Sequence, residues 1–277
     1  MIEKRKNSLS IFIPISILSD VSSQIEKTFK VGQIARSASI FRVDKVVVYK
    51  DSPNASKEDS LLIKDLLSYA ETPQYLRKSL FPLKDTLRYA GMIPPLRTPN
   101  HPLESTDTPY REGFVLGTDS RSSRVDIGLR RPAECPCSLP LNKRVTMKKV
   151  GDSWLPTDKS EVPFYWGYDI SMAFKGLLPS LVQGNYDFII ATSRLGSSLS
   201  SVSYQLKSTL SSAKKIGILF GSPTEGVHEI IAREGKRLED VANLIVNTVP
   251  DQGTATVRTE EAVMISLAAF SSIEAIL

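Results

Sequence analysis

Apolar and polar residues alternate at the start of the chain, with Leu9, Ile11, Ile13 and Ile15 on one side, the period of a strand with one buried face. A wider period then takes over. Ile25, Phe29, Ile34, Ala38 and Phe41 recur at helical spacing behind Asp20, a residue type suited to an N-cap. Residues 44–49 form a β-branched run closed by Lys50, Asp51, Ser52 and Pro53, which predicts a buried strand and a turn. Helical patterning returns over 57–69 and again over 73–79. This βαβα order predicts a parallel sheet with helices on its faces. Between 91 and 102 the density of Gly91, Pro94, Pro95, Pro99 and Pro102 excludes a regular element. Short alternating runs follow at 113–116, 124–127 and 143–150, spaced as strands and turns, and predict a small antiparallel barrel. From Tyr165 onward the α/β pattern resumes. Strands are expected at 186–192, 216–220 and 244–247, and helices at 197–206, 227–234 and 259–277. Thr259 is the expected N-cap of the last helix, with Glu260 and Glu261 in its first turn. The organisation predicted is one α/β domain (1–92 and 165–277) interrupted by a β-rich insertion (93–164).

Composition narrows the class. The chain has 277 residues, 41% of them hydrophobic, normal for a protein with a real core. No run approaches the roughly 18 apolar residues of a membrane helix. The basic, then apolar, N-terminus resembles a signal peptide, but Pro14, Ser16 and the strand alternation argue otherwise and no small-residue cleavage site follows. The expectation is a cytoplasmic protein with no targeting segment and no membrane partner. Cys135 and Cys137 are the only cysteines, and a structural zinc site wants about four ligands, so no metal is expected. The net charge of +5 is concentrated. Arg121, Arg124, Arg130, Arg131, Lys143, Arg144, Lys148 and Lys149 face only Asp126 and Glu134 in that stretch, a local charge of +6. A basic patch on a neutral body suits an RNA partner bound through its phosphates; a merely solvated surface is the plainer reading.

Three expected strands end in turns of similar make-up, rich in small residues and glycine. They are Thr192-Ser193-Arg194-Leu195-Gly196, Phe220-Gly221-Ser222-Pro223-Thr224-Glu225-Gly226, and the longer stretch 247–259. Ligands of a parallel sheet bind beyond the C-terminal strand ends, and glycine lets backbone approach a planar heterocycle. No lysine and serine or threonine follow the glycines as in a phosphate loop, and the Gly-x-Gly-x-x-Gly dinucleotide fingerprint is absent. Neither histidine stands in a nucleophile-elbow context. His228 reads as an ordinary surface or capping residue.

The runs at 32–51 (GQIARSASIFRVDKVVVYKD) and 218–230 (ILFGSPTEGVHEI), with the stretch 246–270, resemble the SPOUT methyltransferases. PQYLRKSLFP, LRYAGMIPPL, REGFV, YWGYDI and RTEEAVMISLAAF resemble more narrowly the archaeal and eukaryotic RNA methyltransferase family with an inserted OB-like barrel. The resemblance covers nearly the whole chain. It implies an α/β fold with a trefoil knot near its C-terminus, a homodimer, S-adenosylmethionine as cofactor and methylation of ribosomal RNA, with uridine ring nitrogen 3 as the favoured acceptor. A non-catalytic RNA-binding or ribosome-assembly factor on the same fold is the alternative.

On that resemblance, Thr192, Ser193, Arg194, Gly221, Asn247, Gly253, Thr254, Val257 and Thr259 are the expected cofactor residues, with Asn247 and Thr259 giving side-chain hydrogen bonds. Gly221 serves equally as a turn residue and Thr259 as a cap. Arg36 lies among small residues on a helix. It either pairs with Asp44 or, as the resemblance implies, faces RNA in catalysis. Asp251 and Glu261 are the acids nearest the third turn and the candidate bases for an imide proton.

Overall fold

The computed structural model describes residues 2–275; the expected end of the last helix, at 276–277, lies outside the described residues. In chain order come β1 (Ser8–Pro14), α1 (Gln24–Ile40), β2 (Lys45–Tyr49), α2 (Lys57–Glu71) and α3 (Gln74–Leu80). A second group follows: β3 (Tyr110–Thr118), β4 (Ser123–Asp126), β5 (Ala133–Cys135), β6 (Arg144–Val150) and β7 (Ser153–Thr157). The third comprises β8 (Asp169–Ala173), α4 (Leu177–Gly184), β9 (Phe188–Ser198), α5 (Leu199–Ser212), β10 (Lys215–Leu219), α6 (Val227–Arg233), β11 (Leu244–Asn247) and α7 (Thr259–Ala275).

The first and third groups share one six-stranded sheet, ordered β11-β9-β10-β1-β2-β8, in which every pairing is parallel. Strand alternation sorts its side chains. Leu9, Ile11, Ile13, Val46, Val48, Ile216 and Ile218 pack beneath α1, α2, α5 and α7. Phe12, Val47, Tyr49 and Leu219 turn to the other face, against Leu177, Leu181, Val227, Ile230 and Ile231 of α4 and α6. Burial on both faces is why these strands read as nearly continuous apolar runs. The edge strand β8 and the helix α4 were not legible in the pattern, because Asp169–Ala173 is only half-buried and α4 has just two fully buried positions, Leu177 and Leu181.

The middle group is a separate antiparallel sheet, ordered β5-β4-β3-β6-β7. Its outer strands β5 and β7 come into contact, so the sheet curls into a half-barrel around Val115, Val125, Ile127, Cys135 and Met147. Gly113 is required there, since a Cβ would stand 2.5 Å from Val125 Cγ1.

Two boundary expectations are corrected. Asp20 does not cap α1, which begins at Gln24; its carboxylate instead accepts from the ammonium of Lys30. The break expected between a strand at 186–192 and a helix from 197 lies elsewhere. Ala191 pairs with Ile245 and Ser197 with the next residue, Val246, so residues 192–196 arch out as a bulge and β9 resumes before α5 starts at Leu199.

Candidate functional site

The arch of β9, the turn after β10 and the loop after β11 meet at the C-terminal end of the sheet around a cleft of about 260 Å³. Thr192, Ser193 and Arg194 line it from the first, Phe220 to Gly226 from the second, and Asn247, Val249, Gln252, Val257 and Thr259 from the third. Close backbone approach shapes it. A Cβ on Gly196 would lie 2.7 Å from the Val246 backbone, and one on Gly221 would lie 2.7 Å from Glu225 O. Both glycines are therefore fixed by space.

Side chains tie the three turns together. Asn247 Nδ2 donates to Arg194 O (3.1 Å) and its Oδ1 accepts from Val249 N–H (3.0 Å). Thr192 Oγ1 donates to Leu219 O and Thr259 Oγ1 to Gly221 O, each at 2.9 Å. Asn247 and Thr259 thus hold backbone, where the sequence suggested direct bonds to a ligand. Nor does the Thr259 hydroxyl cap α7. That end is closed by Glu261, whose carboxylate accepts from Arg258 N–H at 2.9 Å, one half of a capping box.

Gly253 and Thr254 do not line this cleft. They border an adjoining groove with Gln33, Ser37, Glu260 and Glu261, and the two hollows share Val249, Gln252 and Val257. Asp251 is exposed at a left-handed turn position (φ 57°) beyond the cleft. Arg36 lines neither hollow: its Nη1 donates to Pro95 O (3.0 Å) and Leu96 O (3.1 Å) of the proline-rich segment. The alternative pairing with Asp44 is absent; Asp44 accepts from Leu9 N–H at 2.8 Å, and burial raises its carboxyl above the ordinary range.

Sequence reasoning missed two groups here. His228 lines the cleft with its Nδ1 3.4 Å from Ser193 Oγ and its Nε2 3.6 Å from Glu239. A lone histidine in the first turn of a short helix gave no signal of that. Glu260, read as a helix-dipole partner, is buried at 4% exposure. Its Oε2 has no hydrogen bond, with Lys30 Nζ 3.6 Å away, and burial raises its carboxyl above the usual range.

Of the eight basic residues, Arg121, Arg124, Arg130, Arg131, Lys143, Lys148 and Lys149 are exposed around the half-barrel. Arg144 is the exception and leaves the set. Its Nη1 and Nη2 donate to Glu71 (2.6 and 3.1 Å) and its Nε to Glu112 (2.6 Å). Glu112 also accepts from Thr146 and from Trp166 Nε1, and Glu71 from Asn100. One guanidinium thereby joins α2 to β3 of the half-barrel. Nearby, His101 Nε2 lies 2.6 Å from Glu71 O. Burial lowers this imidazole to about 4, with the Arg77 and Arg144 charges adding to the effect and the Glu71 carbonyl opposing it.

A parallel α/β sheet whose strand ends gather three small-residue turns around one cleft is the arrangement in which α/β proteins generally take nucleotide-like ligands. The family described as "Putative RNA methyltransferase" matches residues 8–270, and the chain belongs to that family. It is 32% identical to the 28S rRNA (uridine-N(3))-methyltransferase of Homo sapiens, over 96% of this chain and 78% of that protein. Its identity to the protein of the same name from Drosophila melanogaster is 31%, over 95% of this chain and 61% of that one, so the chain spans about three fifths of the fly relative. An uncharacterized protein of Haloarcula marismortui is 30% identical across 93% of this chain and 96% of its own length. The crystal structure of the TrmH/SpoU tRNA modifying enzyme of A. aeolicus aligns with 98% of this chain and 77% of its own, at 13% identity and a TM-score of 0.41; the family assignment rests on sequence. No helix among the described residues is long and apolar enough to cross a membrane.

Proposed function

We propose that this chain transfers a methyl group from S-adenosylmethionine to ring nitrogen 3 of a uridine in ribosomal RNA. The observation that carries the reading is the convergence of three turns on one cleft at the ends of β9, β10 and β11, in a member of an RNA methyltransferase family. The human and fly relatives named for that base and atom support the acceptor.

The cleft fits such a donor. Gly221 lets the second turn fold tightly along the cleft wall, where a Cβ would stand 2.7 Å from Glu225 O. Backbone groups of the second and third turns suit a heterocycle, and Arg194 and Glu229, both lining the cleft, suit the carboxylate and ammonium of an amino acid. Ser193, Arg194, Gly221 and Val257 would hold it, with Thr192, Asn247 and Thr259 bracing the turns around it and Gly253 and Thr254 at the outer rim. When bound, the cofactor supplies an electrophilic methyl group on a sulfonium. The protein's part is alignment, charge management and removal of one proton.

An imide nitrogen attacks only after losing its proton. Asp251, whose carboxylate accepts no hydrogen bond among the described residues, is assigned that proton, with Glu261 second because its carboxylate already caps α7. Arg36 keeps its Nε and Nη2 uncommitted among the described residues, and these steady negative charge on the deprotonated base. RNA is held by Arg121, Arg124, Arg130, Arg131, Lys143, Lys148 and Lys149. On the same reading, residues 1–92 and 165–277 form one methyltransferase domain with a trefoil knot in its C-terminal part, and 93–164 an OB-like barrel. The protein is a cytoplasmic homodimer, with the exposed Phe29, Ile40 and Ile265 of α1 and α7 giving the contact its apolar surface.

Nucleoside mass spectrometry of ribosomal RNA tests this. Deletion of the gene is expected to remove 3-methyluridine from one position, and the Arg36→Ala protein to fail to restore it. An unchanged 3-methyluridine content after deletion contradicts the proposal.

A further inference from the structure

A second groove lies away from the cofactor cleft, between the outer faces of α2 and α3 and the strap that follows α3. Five basic residues border it (Lys64, Arg77, Lys78, Lys84 and Arg88) against two acids, Asp65 and Asp85. Lys84 is 3.2 Å from Asp65, and the Arg77 guanidinium donates to Thr72 O and Ala70 O. Lys64, Lys78 and Arg88 are exposed and form no salt bridge among the described residues. The floor is aromatic: Tyr69 and Phe81 meet edge to face at 5.4 Å, with Arg77 stacked 4.4 Å over Tyr69. Above it Leu83 stands fully exposed.

Cationic heads around an aromatic and apolar floor are what a single-stranded nucleic acid uses, phosphates on the cations and bases against flat apolar groups. Helix α3, which borders the groove, also packs on the half-barrel. Gly128 of the β4–β5 connection packs so tightly on Tyr75 of α3 that a Cβ would stand 2.4 Å from its ring. Tyr75 Oη in turn donates to Glu112 O at 3.0 Å. Arg130 and Arg131, two and three residues beyond Gly128, are exposed on the same connection. We infer that this groove takes a single-stranded segment of the RNA substrate, entering from the Arg130–Arg131 turn; the inference rests on the RNA methyltransferase reading. Charge complementarity decides for RNA over an apolar partner helix, which would have no use for three exposed cations without a salt bridge among the described residues.

The test uses the full chain and a labelled oligouridine of about twelve nucleotides, within the roughly 4–16 that a single-strand site covers. The charge reversal K64E/K78E/R88E is expected to weaken binding at least about tenfold and to flatten the salt dependence by about 2 in slope, three phosphate contacts at roughly 0.7 each. Leu83→Ala is expected to weaken it a few-fold with the salt slope unchanged. Affinity for S-adenosylmethionine, read by calorimetry, is expected to hold in both variants. Unchanged oligouridine binding in the charge-reversed protein overturns the inference, and so does an equal loss for a blunt RNA duplex. Lost methylation of ribosomal particles with intact oligouridine binding also overturns it, by assigning the groove to a protein. If the groove variants bind normally while reversal of Arg130, Arg131, Lys148 and Lys149 abolishes binding, the groove assignment fails and the RNA reading stands. If the unmodified protein binds no RNA, both fail.

Discussion

Gly196 and Gly221 carry the tightest steric demands at the cleft, and they make different predictions. Gly196 lets the β9 arch close over the Val246 backbone, so Gly196→Ala strains two adjoining strands and is expected to cost about 1–3 kcal/mol of stability, measured by the denaturation midpoint. Gly221 faces the cleft and stands against Glu225 O; Gly221→Ala is expected to weaken cofactor binding more than it lowers stability. His101 gives a prediction in pH. It is neutral in the fold, lowered to about 4 by burial, while an unfolded histidine titrates near 6.5. Its folded value lies below the unfolded one, so its contribution is full above about 6.5 and is lost as pH falls toward 4, where the unfolded chain binds the extra proton. His101→Gln is expected to flatten the fall of melting temperature across that window; an unaltered pH profile would refute the assignment. The sequence marked Gly221 and Gly196 as members of small-residue turns, but neither the close approach that fixes them nor the burial of His101. A glycine after a strand is common, and the burial of His101 depends on α2, more than two dozen residues away.

At the scale of elements, the inner strands β1, β2 and β10 were legible because their apolar runs are short and continuous, and they fall within a residue or so of expectation, as does the edge strand β11. Elements that depend on partners were not. β5 is three residues long and β7 carries Pro156, so neither alternates far enough to be seen, and the arch in β9 exists only through its pairing with β11. The link between the half-barrel and α2 was hidden for the same reason. Arg144 reads as one more cation in a basic run, and only the fold brings Glu71, 73 positions away, to it. Arg144→Met leaves the buried Glu71 and Glu112 carboxylates uncompensated and is expected to destabilise the protein by about 3–5 kcal/mol in chemical denaturation. The triple variant E71Q/E112Q/R144M is expected to recover part of that loss, and failure to recover any would show that packing, not charge, dominates the junction.

Over the whole molecule, the parallel sheet and its interruption by a β-rich segment could be read from periodicity alone, whereas the strand order β11-β9-β10-β1-β2-β8 could not, since every crossover is a long-range event. The three turns were legible as a group because they share small residues. What they do to one another was not, because Asn247 and Thr259 bind backbone of other turns through contacts 53 and 38 positions apart. That mutual bracing makes the cleft a preformed site, and its occupancy is the central claim. Calorimetric titration of the purified full chain with S-adenosylmethionine tests it most directly. The account predicts saturable binding at one site per chain, retained in Arg36→Ala and lost or strongly weakened in Gly221→Ala. Absence of binding by the unmodified protein, or equal binding by Gly221→Ala, would contradict it.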